Sequence, residues 1–118
     1  MLLNMKRTSR IDKPPAAYGQ LQARLARIGW VALGSVVERR DPGRGGPRYQ
    51  WTRRIEGKTV TVALGAEQFT WMKAAIANQR KAWAILEDMQ RLSLGQMWKY
   101  LPNAPRRKSL SKKQMGLN

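Results

Sequence analysis

The sequence predicts a small α+β fold, in which a three-stranded antiparallel sheet packs on a long helix and is flanked by an N-terminal and a C-terminal short helix. Two segments of alternating polarity surround the dipeptide Glu56-Gly57, which is typical of a β-hairpin. An alanine-rich segment with helical periodicity begins after the hairpin, near Ala66. The length of 118 residues fits one small domain with extensions.

The first helix is predicted over Ala16–Ile28, where apolar residues recur at intervals of three and four. The apolar stripe consists of Tyr18, Leu21, Leu25 and Ile28. Pro15 suits the first turn of a helix, and Gly29 suits its end. These features predict a short amphipathic helix.

Three strands are predicted next. The first covers Leu33–Arg40 and is followed by Asp41–Pro47, whose glycines and prolines indicate a turn or a flexible loop. The second strand covers Arg48–Ile55 and the third covers Thr59–Leu64. Glu56-Gly57 forms the hairpin turn between them, because glycine adopts positive φ at little cost.

The alternation of side chains along this hairpin predicts two chemically different faces. The inner face holds Tyr49, Trp51, Ile55, Val60, Val62 and Leu64. The outer face holds Arg48, Gln50, Thr52, Arg54, Thr59 and Thr61. Because the outer side chains all donate hydrogen bonds and include no acid, we expect this face to contact phosphates or base edges.

A long helix is predicted over Ala66–Arg91. Its near-heptad seam consists of Phe69, Met72, Ile76, Trp83, Leu86 and Gln90. A separate short helix is predicted after it, with Ser93 as the N-cap and with Pro102 beyond its end.

The five tryptophans are many for a chain of this length. We expect Trp51, on the inner sheet face, and Trp83, on the helix seam, to be buried in the core. Trp30 and Trp71 lie off these patterns, and stacking on unpaired bases is an alternative role for them.

The chain carries 23 Lys+Arg residues against 7 Asp+Glu residues, for a net charge of +16. Self-repulsion of this excess opposes folding, so it indicates a polyanionic partner, and we favour nucleic acid over an anionic membrane. The sequence has no cysteine and no histidine, which excludes disulfides, thiolate or imidazole metal ligands and catalysis by either residue. We therefore expect a binding protein and not an enzyme, with no cofactor and no metal.

Basic extensions flank the predicted nucleic-acid-binding domain, which covers residues 16–102. Residues 1–15 form an N-terminal arm, and residues 103–118 form a C-terminal tail with little apolar content to bury. Neither a signal peptide nor an apolar run of the ~20 residues that span a membrane is present. With cysteine also absent, a cytoplasmic location is expected.

Candidate nucleic-acid-binding residues are distributed over the arm, the strands with their loops, and the tail. The arm contributes Lys6, Arg7 and Arg10. The first strand and the loop contribute Arg39, Arg40 and Arg44. The hairpin contributes Arg48, Gln50, Thr52, Arg53, Arg54, Lys58, Thr59 and Thr61. The tail contributes Arg106, Arg107, Lys108, Lys112 and Lys113. Cations of this kind bind phosphates, and the polar side chains of the hairpin also suit base edges.

A strand, a glycine-rich loop, a hairpin and a long helix follow one another in the segments Gly34–Arg40, Gly46–Tyr49, Gly57–Leu64, Ala74–Arg80 and Ile85–Met89. These segments resemble a family of small bacterial proteins of unknown function found beside transposases. Relatives carry cysteines in the loop between the first two strands, whereas Asp41–Pro47 has none, so the resemblance implies no metal knuckle here. The layout is also similar to the three-stranded DNA-binding domains of phage-type integrases, in which the sheet enters the major groove.

These resemblances imply a non-enzymatic accessory subunit that binds DNA for a mobile-element, recombinase or RNA-guided complex. DNA is favoured over RNA as the partner. Two alternatives stay open: an RNA-binding component of a ribonucleoprotein, and an adaptor that docks its long helix on a larger protein.

Overall fold

A computed structural model describes residues 11, 13–41 and 45–118. In chain order the elements are α1 (Ala16–Ala26), β1 (Ser35–Glu38), β2 (Tyr49–Ile55), β3 (Lys58–Leu64), α2 (Ala66–Tyr100) and α3 (Lys112–Met115). The predicted α+β class is confirmed, since a three-stranded antiparallel sheet is accompanied by one long helix and two short ones. The candidate residues Lys6, Arg7, Arg10 and Arg44 lie outside the described residues.

The chain divides into two compact units. The sheet unit, Ile28–Trp83, contains the three strands and the first part of α2. The helical unit consists of Ala84–Asn118 and the described part of Met1–Arg27, and it contains α1, the rest of α2 and α3. The domain predicted over residues 16–102 stays a prediction.

The sheet has the strand order β1-β2-β3, and both strand pairs are antiparallel. Residues directly opposite each other in such pairs share a face, so the register defines which side chains lie together. The apolar face carries Val36, Tyr49, Trp51, Ile55, Val60, Val62 and Leu64, together with the charged Glu38, Arg53 and Lys58. The polar face carries Ser35, Val37, Gln50, Thr52, Arg54, Thr59, Thr61 and Ala63. This division agrees with the alternation predicted for β2 and β3.

The strands lie close to their predicted bounds except for β1, because only Ser35–Glu38 of the predicted Leu33–Arg40 pairs with β2. Gly34 has a φ of 97°, which interrupts the extended chain just before β1. The hairpin turn is Glu56-Gly57, as predicted. Both residues have positive φ, 51° at Glu56 and 79° at Gly57, as a type I′ turn requires.

Aromatic residues of the apolar face connect the strands to the rest of the sheet unit. The ring of Tyr49 stacks on that of Phe69 in α2, with centroids 4.6 Å apart. The indole N–H of Trp51 donates a hydrogen bond to the carbonyl oxygen of Leu33 at 2.8 Å. The predicted inner face therefore packs against other parts of the protein through Tyr49 and Trp51, whereas Ile55 and Val62 of the same face are each 41% exposed.

The segment before β1 is hydrogen-bonded to α2. The amide of Ala32 donates to the carbonyl oxygen of Ala75 at 3.2 Å, and the side-chain amide of Asn78 donates to the carbonyl oxygen of Trp30 at 2.9 Å. Ala75 is 2% exposed and Ile76 is 6% exposed. Because the side chain of alanine is small, Ala75 lets the two backbones approach this closely. The core of the sheet unit therefore lies along the side of α2 that carries Ala75 and Ile76.

α2 is a single helix of 35 residues, which is longer than predicted. The predicted end at Arg91 and the separate helix starting at Ser93 are wrong. The hydroxyl of Ser93 does not cap a helix; it donates to the carbonyl oxygen of Met89 one turn earlier, at 2.9 Å. The helix continues to Tyr100, two residues before Pro102.

The tryptophans of the sheet unit differ widely in exposure. Trp51 is half-buried, whereas Trp83 is 60% exposed, so the prediction that Trp83 belongs to the core is wrong. The buried positions of this part of α2 include Ala75 and Ala82, which lie seven residues apart on a different stripe from the predicted seam. Ala75, Ala82 and the seam residue Ile76, and not Trp83, therefore face the interior there.

The predicted tail is folded in the helical unit. α3 begins with a capping box, in which the Ser111 hydroxyl accepts a hydrogen bond from the amide of Gln114 and the Gln114 side chain accepts one from the amide of Ser111. The indole N–H of Trp98 donates to the carbonyl oxygen of Met115 at 2.8 Å. The structure thus differs from the expectation of a tail with little to pack.

Candidate nucleic-acid interface

The polar face of the sheet has no acidic side chain and is open to solvent. Arg54, Thr59 and Thr61 are exposed, and Gln50 and Thr52 are half-buried. Ser35 and Val37 of β1 and Ala63 of β3 complete this face with small or aliphatic side chains. Its chemistry is therefore that of hydrogen-bond donors and acceptors with one guanidinium.

Two contacts fix the geometry of this face. The hydroxyl oxygens of Thr52 and Thr61 lie 3.1 Å apart across β2 and β3, within hydrogen-bond distance. Arg54 donates from Nη2 to the carbonyl oxygen of Gly57 at 2.9 Å, which holds its guanidinium near the hairpin turn. With Gln50 four residues before Arg54 on the same strand, the donors span roughly 13 Å at ~3.3 Å per residue.

These side chains match the groups that nucleic acids present. Glutamine pairs with the N6 and N7 edge of adenine, arginine with guanine or with phosphate, and threonine with several base edges. Val37 of β1 lies on the polar face and is 49% exposed, so it offers an apolar contact of the kind that the thymine methyl group takes. Sequence analysis missed Val37, although the same alternation that assigned Gln50 applies to β1.

Arg48 lies apart from the polar face, which differs from the prediction. Its Nη2 atom is 3.1 Å from Oε1 of Glu38, and its guanidinium carbon is 5.3 Å from the ring centre of Tyr49. Glu38 and Tyr49 are opposite each other in the register and point away from Gln50. The side chain of Arg48 is 69% exposed, so this ion pair is accessible to solvent.

The end of β1 and the following loop form a cavity of about 430 Å³. Arg39, Arg40 and Arg48 line it together with the carboxylates of Glu38 and Asp41. Arg39 donates from Nη1 to the carbonyl oxygen of Gly45 at 3.0 Å, so part of its hydrogen-bonding capacity is used within the loop. The two carboxylates offset much of the positive charge in this cavity.

Two further candidates lie on the apolar side of the hairpin. The guanidinium carbon of Arg53 is 4.0 Å from the ring centre of Trp51, which is a cation–π contact. Nη1 of Arg53 is buried and has no hydrogen-bond partner within the described residues. Lys58 is opposite Ile55 in the register and is exposed. The structure does not group Arg53 or Lys58 with Gln50 and Arg54.

The remaining candidates belong to the helical unit. These are Arg106, Arg107, Lys108, Lys112 and Lys113. All are exposed, and they extend over the chain between α2 and the end of α3. The guanidinium carbon of Arg106 lies 5.7 Å from the ring centre of Trp98.

The part of the chain that the structure describes contains neither of two patterns, a cluster of metal-ligating side chains or a helix suited to cross a membrane. In that part, no group of three or more carboxylate, imidazole or thiol side chains is arranged to hold a metal. None of the helices in the same residues combines the length and the apolar character needed to cross a membrane.

Comparison with known proteins gives no relative from which a role could be transferred. No family model, curated protein or solved structure matches the chain. The resemblance to transposase-associated proteins and to integrase domains therefore stays a prediction.

Proposed function

We propose that this chain is a non-enzymatic nucleic-acid-binding protein that places the polar face of its sheet in the major groove of duplex DNA. The observation that carries the proposal is the acid-free array on that face, in which Arg54, Thr59 and Thr61 are exposed and Gln50 and Thr52 are half-buried. It belongs to a chain with a net charge of +16, which favours association with a polyanion.

The dimensions of the array favour duplex DNA over duplex RNA. The span of roughly 13 Å from Gln50 to Arg54 is close to the ~12 Å width of the major groove of B-DNA, which admits β-strands. The major groove of A-form RNA is too narrow for side chains to read. The polar face also lacks the aromatic side chains on which sheet-type RNA-binding modules stack bases, because its members are aliphatic, polar or basic.

A protein partner is the second candidate, and exposed tryptophans favour it. Trp30 is 76% exposed and Trp71 is 48% exposed, with ring centroids 6.5 Å apart in the sheet unit. Tryptophan is enriched at the centres of protein interfaces. The role as an accessory subunit of a mobile-element, recombinase or RNA-guided complex, and the cytoplasmic location, are parts of the proposal that rest on the sequence.

The test is a titration of the wild-type protein and of Gln50→Ala/Arg54→Ala with duplex DNA, duplex RNA of the same sequence and single strands. Arg80→Ala is the matched control, since it removes one exposed cation of the sheet unit that lies on α2 and not on the sheet. We expect the double variant to raise the Kd for DNA by about tenfold or more, as for the loss of specific base or phosphate contacts. The control should change Kd by about threefold or less.

Three outcomes would contradict the proposal. Wild-type affinity in the double variant, with an unchanged melting temperature, would show that the polar face does not contact DNA. An equal loss in Arg80→Ala would mean that only overall charge matters. Tighter binding to duplex RNA than to DNA would favour the ribonucleoprotein alternative.

A further inference from the structure

The helical unit contains a cleft of about 390 Å³ beside the end of α2. Trp98, Arg106, Arg107, Lys108, Ser109 and Met115 line it, and we call it the C-terminal cleft. Its lining has three consecutive cations, one indole ring and one hydroxyl. No lining residue is acidic, which distinguishes this cleft from the arginine-lined cavity at the end of β1.

The cleft is built on a fixed tryptophan. The indole N–H of Trp98 is held by the carbonyl oxygen of Met115 at 2.8 Å, so the ring cannot turn freely. Met115 is itself held in place, because α3 has a capping box at Ser111 and ends at Gly116, whose φ is 77°. The ring of Trp98 therefore presents a stable surface to the cleft.

Arg106 is oriented by two contacts that leave its outer amino groups unused. Its guanidinium lies over the Trp98 ring at 5.7 Å, and its Nε atom donates to the carbonyl oxygen of Ala104 at 3.3 Å. Within the described residues, neither Nη atom of Arg106 has a hydrogen-bond or ion-pair partner. Two parallel N–H donors on a planar, oriented guanidinium match the paired oxygens of a phosphate.

The two residues that follow Arg106 in the sequence add positive charge to the cleft. Arg107 and Lys108 are exposed and make no ion pair within the described residues. Ser109 adds a hydroxyl donor to the same cleft. A polymeric ligand with one negative charge per unit would form an ion pair with each of these cations, whereas a small neutral molecule would form none.

The geometry points to the C-terminal cleft as a phosphodiester-binding site, which holds the backbone of a nucleic-acid strand through Arg106, Arg107 and Lys108. This inference rests on the proposed function, since it names a second contact of the same partner. It differs in mechanism, because the cleft recognises backbone phosphate irrespective of sequence, whereas the polar face of the sheet reads base edges. Trp98 acts as a positioning residue that orients the Arg106 guanidinium.

The experiment uses full-length ¹⁵N-labelled protein and follows the indole N–H resonance of Trp98, assigned with Trp98→Phe. The probes are an oligothymidylate of eight nucleotides, the same oligomer with an uncharged methylphosphonate backbone, and inorganic phosphate. We expect the oligothymidylate to shift the Trp98 resonance saturably and the uncharged oligomer to leave it unchanged. Shifts at Trp98 should also persist in Gln50→Ala/Arg54→Ala, which separates the cleft from the sheet.

Charge-matched variants test the role of the arginine fork. Arg106→Lys keeps the charge but loses the planar pair of donors, and we expect about a tenfold increase in Kd for the oligothymidylate. Arg24→Ala removes one exposed cation of the helical unit that lies on α1, outside the cleft lining, and should raise Kd by about threefold or less. In both variants the resonance of the hydrogen-bonded Trp98 indole in the free protein reports that the cleft is still folded.

The outcomes separate the cleft from the proposed function. If duplex DNA binds through the sheet but Trp98 does not respond to oligothymidylate, or if Arg106→Lys binds like the wild type, the cleft inference is wrong and the proposed function stands. Equal responses to the charged and the uncharged oligomer would also overturn it. A response to inorganic phosphate alone would assign the cleft to a small anion and reject the nucleic-acid strand. Absence of any response to DNA and RNA at both surfaces would reject both proposals.

Discussion

The indole N–H of Trp51 donates a hydrogen bond to the carbonyl oxygen of Leu33, 2.8 Å away. This contact ties the central strand of the sheet to the segment that leads into β1. Gly34 follows Leu33 directly, and Arg53 covers the Trp51 ring at 4.0 Å. A single tryptophan thus fixes the start of the edge strand and the position of a guanidinium, and it supports the sheet from the side opposite the polar face.

Replacement of Trp51 by alanine should destabilise the protein by about 3 kcal/mol, the lower end of the range for large aromatic truncations because Trp51 is half-buried. Chemical denaturation followed by circular dichroism measures the change. Trp83→Ala is the matched control, since Trp83 is 60% exposed and its loss should alter stability by less than about 1 kcal/mol. Equal losses in the two variants would show that Trp51 has no special structural role.

Gly34→Ala should be more harmful than the same change in the hairpin turn. A Cβ atom at Gly34 would lie 2.6 Å from the carbonyl oxygen of Thr52 and 2.8 Å from Nε1 of Trp51, and φ is +97° there. At Gly57, where φ is +79°, an added Cβ meets nothing within 4 Å. We expect a loss of about 1 kcal/mol for Gly57→Ala, from backbone strain alone, and at least about 2–3 kcal/mol for Gly34→Ala. Thermal melts of the two variants side by side test this ranking, and a reversed ranking would contradict it.

Binding to duplex DNA should depend strongly on salt. If about six phosphates are neutralised, log K falls with log salt at a slope near −5. Fluorescence anisotropy titrations between 50 and 300 mM salt measure the slope, and Arg107→Ala/Lys108→Ala should make it less negative by about 2. A slope near zero in the wild-type protein would exclude a polyanion as the partner.

Removal of residues 104–118 should lower the melting temperature, contrary to what the sequence predicted. The deletion removes Met115, whose carbonyl oxygen accepts the hydrogen bond from the Trp98 indole N–H. It also removes Leu117, which lies beside Gly95 of α2: its Cδ2 atom is 4.0 Å from the position that a Cβ atom on Gly95 would take. A loss of about 1–2 kcal/mol corresponds to a fall of about 5–10 °C in a chain of this size. The control is Arg107→Ala/Lys108→Ala, which removes tail charge but keeps these contacts. An unchanged melting temperature after truncation would mean that the tail does not stabilise the helical unit.

Strand alternation was sufficient to predict the faces of the hairpin. Because the side-chain period of a strand is two, assigning Trp51 to the inner face also assigned Gln50 and Thr52 to the outer one, and the register of β2 with β3 agrees. Arg48 fell outside this rule because it precedes β2 and pairs with Glu38. A pairing that joins side chains ten residues apart across a loop leaves no local pattern in the sequence.

Helix boundaries were less predictable, since Ser93 is a favoured N-cap and yet lies inside α2. Its hydroxyl donates to the carbonyl oxygen of Met89, so it is compatible with the helix interior as well. The C-terminal cleft was not predictable at all, because it depends on Trp98 meeting Met115 after the chain has turned back. Sequence analysis identified the cations of this segment but not the ring that orients Arg106.

The order of strands in the sheet has a consequence for the behaviour of the protein in solution. β3 is an edge strand, and among the described residues no other strand pairs with its outer side. Such an edge is a template for pairing with a second molecule, and mutual repulsion between chains of net charge +16 opposes that encounter. The Debye length falls from about 10 Å at 0.1 M salt to about 3 Å at 1 M, so concentrated salt removes this repulsion. We therefore expect concentrated salt, of the kind used to strip nucleic acid from basic proteins, to promote aggregation of this chain, and we expect the purified chain to be most soluble at low ionic strength.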